Sequence, residues 1–187
     1  MEADWSVEIG QGLPLIDSTW EGFVDLRVHP RAIDSLPEAV QHPALRQALL
    51  ALNEKNSPVF TTKCDAWALD EKIDPDEFDA TSEDSQTGFA SYIDILERDA
   101  TRFCSFKLHE ERIRTLSSQL RQVALRNGRV DFVLRTAAIK EQQGYGFTLY
   151  AAGCGAHPSM AYAAWQSVLG ATVAATITAA HSLHTGE

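Results

Sequence analysis

The first clear alternation of apolar and polar positions is Phe23-Val24-Asp25-Leu26-Arg27-Val28, a period of two that predicts a strand closed by His29-Pro30. Pro37 then stands where a first helical turn tolerates it. Val40, Leu45, Leu49 and Leu52 continue at helical spacing until residues 53–58 break the run. A β-rich stretch follows over 59–67. The same order recurs further on: a strand at 91–96, a polar helix carrying Ile113, Leu116, Leu120, Val123 and Leu125, a break at Asn127-Gly128, and a strand from 129 to 139. A turn at 140–144 leads into a strand at 145–150, and an Ala-rich helix from Pro158 to about Leu183 ends the pattern.

The recurrence reads as two β-α-β units, because Phe23-Val24-Asp25-Leu26 aligns with Tyr92-Ile93-Asp94-Ile95 and two similar helix-to-strand joints precede Val59 and Val130. In tandem such units give a ferredoxin-like core in which the strands of Asp25 and Asp94 are neighbours. The expectation is therefore a single α+β domain over 1–187. It has an antiparallel or mixed sheet of about five strands, helices on one face, and a C-terminal helix.

Charge adds two local features. Residues 70–84 hold eight acids against Lys72 alone, which reads as an acidic, mobile surface loop spanning 70–86. From Gln142 to Gly186 there is no charged residue, so the last helix is expected to be covered on most sides, with a homodimer as one source of cover. A net charge of -10 lacks the field that holds nucleic acid or an anionic membrane, and favours a basic protein partner instead. The 21 uncharged residues from Met160 to Ala180 are near spanning length, but their Ala and Thr content makes them weakly hydrophobic and argues against a tail anchor. Cys64, Cys104 and Cys154 form no CxxC pair, and no basic-then-apolar leader opens the chain. A reduced, cytoplasmic setting is the expectation.

Two constellations carry candidate chemistry. The first is a polar sheet face: with Val24, Leu26 and Val28 turned to the helices, Asp25 and Arg27 point away, joined by Tyr92 with Asp94 and Asp131 with Arg135. Asp25 and Asp94 on adjacent strands would offer a divalent metal two carboxylates, whereas cross-strand pairing with Arg27, Lys63 and Arg135 makes the same face an ion-paired surface. The second is Gly153-Cys154-Gly155-Ala156-His157-Pro158 at a strand-to-helix junction. There Gly153, Cys154, Gly155 and His157 form a candidate ligand site at a helix N-terminus, unless the glycines serve only to turn the chain. The acids around Asp74 lack the mid-loop glycine and terminal glutamate of a calcium loop. P-loop, dinucleotide, HExxH and GxSxG patterns are absent. Two function classes follow: a small acidic interaction protein of no assigned activity, or an enzyme or ligand-binding domain acting at the glycine turn or the acidic sheet face. No cofactor is indicated.

Overall fold

The computed structural model describes residues 1–178. Its centre is a mixed six-stranded sheet with strand order β1-β5-β6-β4-β3, where β1 is Glu2–Glu8, β3 Val59–Leu69, β4 Thr87–Glu97, β5 Gly128–Ile139 and β6 Gln142–Gly155. The two-residue β2, Ile16–Asp17, continues the β1 edge by pairing with β5. β1 runs parallel to β5, and the pairs β5–β6, β6–β4 and β4–β3 are antiparallel. The α+β class and the C-terminal helix are as expected.

The Phe23 to Val28 segment is not a strand; it is irregular chain that ends in a turn over 26–28, outside the sheet. Local hydrogen bonding wins there. The Asp25 carboxylate accepts from the Arg27 backbone N–H at 3.0 Å and from its guanidinium Nε at 2.8 Å, while the Asp25 carbonyl accepts from the N–H groups of Val28 and His29. The guanidinium stacks 3.6 Å from the Phe60 ring centroid. Asp25 and Asp94 are therefore not strand neighbours, and the paired β-α-β core is not formed. What recurs instead is helix–strand–strand: α2 (Pro43–Asn53) with β3 and β4, then, after the one-turn α3 (Ala100–Phe103), α4 (Phe106–Leu120) with β5 and β6. The single helix expected over 37–52 is split by Pro43 into α1 (Pro37–Gln41) and α2.

The helices cover one face. Leu45, Leu49 and Leu52 of α2, Ile113, Leu116 and Leu120 of α4, and Trp165, Val168 and Leu169 of α5 (Pro158–Thr178) bury against Ile93, Ile95, Phe132, Leu134, Phe147 and Leu149. Residues 179–183, which the apolar pattern assigns to the last helix, lie outside the described residues. A buried ion pair between Glu97 on β4 and Arg112 on α4 ties the helices to the sheet, and Arg112 also donates to the Thr176 carbonyl of α5 at 2.6 Å. The outer side of α5, with Met160, Ala163, Ser167, Gly170 and Ala174, faces away from the other described residues. Among the described residues no helix is long and apolar enough to cross a membrane.

Candidate functional site

The opposite sheet face carries the polar residues, and period-two geometry explains which ones. Tyr92 and Asp94 on β4, Asp131 and Arg135 on β5, and Thr148 and Tyr150 on β6 all fall on the side away from Ile93, Phe132 and Leu149. Two apolar patches roof the ends of this face. At one end Ile16, with Phe23 against it, covers Phe60, Leu96 and Ala137. At the other, Ile73 and Phe78 of the acidic segment sit on Cys154 and Ala152. Between them a strip remains open.

A chain of hydrogen bonds crosses the strip from edge to centre. Glu8 on β1 accepts from Arg135 Nη2 at 2.8 Å. Arg135 Nη1 donates to Thr148 Oγ1 at 2.9 Å, and Thr148 Oγ1 donates to Asp94 Oδ1 at 2.5 Å. Lys63 on β3 adds a cation on the far side of Asp94. Asp94 is only 7% exposed, and burial raises its pKa above the ordinary 3.8 against the opposing pull of Thr148, Arg135 and Lys63. A carboxyl so placed holds its proton more tightly than a surface aspartate does.

Beside this chain lies a second row that strand register sets out residue by residue: Asp4, Asp131, Tyr150, Tyr92 and Asp65 are successive cross-strand partners from β1 to β3. The Tyr92 and Tyr150 ring centroids are 6.1 Å apart, and Trp67 lies 6.2 Å from Tyr92, giving an aromatic patch of three rings. Trp67 is 37% exposed. Burial and the charges of Asp94 and Asp65 push the Tyr92 hydroxyl up to about 12, so it remains a hydrogen-bond donor. Arg129 neutralises Asp131 through two hydrogen bonds, whereas among the described residues the Asp65 carboxylate accepts only the neighbouring Ala66 N–H.

The other expected site residues are held for different reasons. A Cβ on Gly153 would sit 2.2 Å from the Trp165 backbone nitrogen, and one on Gly155 would sit 2.6 Å from that of Ala161. These glycines let α5 lie directly on β6. Cys154 points to the other face, under Ile73 and Phe78, and burial pushes its thiol up to about 11. His157 is exposed at the start of α5. The structure therefore separates Cys154 from His157 by exposure and separates Asp25 from Asp94 by fold. Among the described residues no group of three or more His, Cys, Asp or Glu is placed to hold a metal ion. Glu8 and Trp67 were not singled out from the sequence. The period-two run of Ala3, Trp5 and Val7 between Glu2, Asp4, Ser6 and Glu8 was the available signal for β1.

Comparison with protein-family models, curated proteins and solved structures finds no match, so the functional reading rests on the strip itself.

Proposed function

We propose that this chain is an interaction protein that docks a basic protein segment on its open sheet face. One observation carries the reading: a half-exposed aromatic patch of Trp67, Tyr92 and Tyr150 stands beside the exposed Asp65 carboxylate, in a row that also holds Asp131 and Asp4, on a face that no described helix covers. Aromatic faces attract guanidinium and ammonium groups, and neighbouring carboxylates pair with them, so the combination selects Arg- or Lys-bearing chains. The eight acids of residues 70–84 stand at one end of the strip and extend the negative field beyond the contact area. That field accelerates encounter with a basic partner and weakens with salt. The Cys64 and Cys154 thiols are pushed up to about 12 and about 11 by desolvation, which disfavours these two as nucleophiles.

Fluorescence anisotropy with labelled hexa-arginine and hexa-lysine peptides tests this. Wild-type protein is expected to bind both, with affinity falling as salt rises from about 50 to about 200 mM. Trp67→Ala should weaken binding about tenfold through loss of the ring, and Asp65→Lys should slow association. Equal affinity in wild type, Trp67→Ala and Asp65→Lys would refute docking on this face.

A further inference from the structure

Where β1 gives way to β2, residues 9–15 leave the sheet edge in a short arch and return at Ile16, with the Leu13 N–H donating to the Gly10 carbonyl at 3.3 Å. Beside this arch lies a groove of about 550 Å³, bordered by Gln11 and Leu15 of the arch, Ala137 of β5, Gln143 and Tyr145 of β6, and Cys104. It is separate from the strip around Asp94. Among the described residues none that lines it carries a charge, although the chain holds 26 acids and 16 bases. The volume falls within the range of small-molecule sites.

We propose that this groove binds an uncharged heterocycle with amide-type hydrogen-bonding edges. A charged ligand would meet no counter-charge among these lining residues, whereas an uncharged one needs none. Gln11 and Gln143, both exposed among the lining residues, each carry an amide donor and acceptor, the combination that pairs with a lactam or aminopyrimidine edge, and Thr136 and Tyr145 each carry a hydroxyl. Leu15 and Ala138 supply apolar surface for a flat ring. Leu15 is 50% exposed, so an occupant beside the arch would remove apolar surface from water.

Cys104 makes the proposal directly measurable. It is the exposed thiol of the three, with Gln142 Nε2 donating to its Sγ at 3.1 Å, while Cys64 and Cys154 are held protonated by burial. Iodoacetamide alkylation followed by intact-mass analysis therefore reports on the groove. Adenine and uracil serve as neutral probes, with adenosine monophosphate and benzoate as charged counterparts. The neutral probes are expected to slow Cys104 alkylation saturably, about tenfold when the groove is filled, and Gln143→Ala should weaken that protection about tenfold at an unchanged melting temperature. Should Gln143→Ala unfold, Gln11→Ala on the arch provides the same comparison. Protection by only one of the two heterocycles supports the proposal and defines the ring that fits. Unchanged alkylation with both heterocycles, or equal protection by the charged compounds, would overturn it. Because the basic-peptide test reads Trp67 and this one reads Cys104, either can fail without the other.

Discussion

Asp94 concentrates the conflict that makes the open face unusual. Its carboxyl is buried, receives the Thr148 hydroxyl, and titrates above 3.8 because desolvation outweighs the nearby cations. Between the unfolded and the folded pKa the native state binds more protons, so the stability contributed by this group is complete below 3.8 and declines as pH rises through the folded value. Asp94→Asn, which cannot ionise, is expected to gain stability relative to wild type as pH rises above about 4. Urea unfolding at stepped pH measures this, and a pH-independent difference between the two proteins would contradict it. At Gly153 the constraint is steric. Ala there would drive a methyl into the Trp165 backbone at 2.2 Å, and since backbone rather than a flexible side-chain tip is in the way, a loss of about 3 kcal/mol is expected. Thermal unfolding of Gly153→Ala within 1 °C or so of wild type would show that α5 does not rest on this strand.

Among the elements, the acidic segment is the one whose behaviour reverses. Its acids face water, yet Ile73 and Phe78 are buried on Cys154, and a short 3-10 turn over Pro75–Phe78 presents Phe78 inward. Two large apolar residues among the seventeen of 70–86 are enough to dock it. Replacing 70–86 with a Gly/Ser linker is therefore expected to cost about 3 kcal/mol, far above the entropy of changing loop length, because a Phe-sized contact is lost and Cys154 is uncovered. An unchanged denaturation midpoint would mean that the segment is not docked. The strands at 91–96, 129–139 and 145–150 were legible because their apolar sides alternate and the turn at Lys140 has the φ of +55° that a tight hairpin uses. The run at 23–28 shows the same alternation and still fails. Asp25 and Arg27 satisfy each other and the backbone locally, an outcome that hydropathy does not register.

At the scale of the whole molecule, a helix-covered face and an open face divide the sequence's charge between them. The neutral C-terminal run is explained by α5 lying on β6 with Trp165 inside and small residues outside. The charged rows lie on the other side, where cross-strand register aligns residues as far apart in sequence as Asp4 and Asp131. The polarity of Tyr92, Asp94, Asp131 and Arg135 was readable from alternation alone. Their assembly with Glu8, Thr148 and Trp67 was not, because it depends on strand order, and parallel pairing of β1 with β5 leaves no local sequence signal. The most direct measurement is a residue-resolved NMR titration of the ¹⁵N-labelled chain with hexa-arginine. Docking on the open face predicts that the largest shifts fall on the Trp67 indole and the backbone amides of Asp65, Tyr92 and Tyr150, and that they shrink with added salt. Shifts confined to residues 70–86 or to the outer side of α5, with those four positions unmoved, would contradict it.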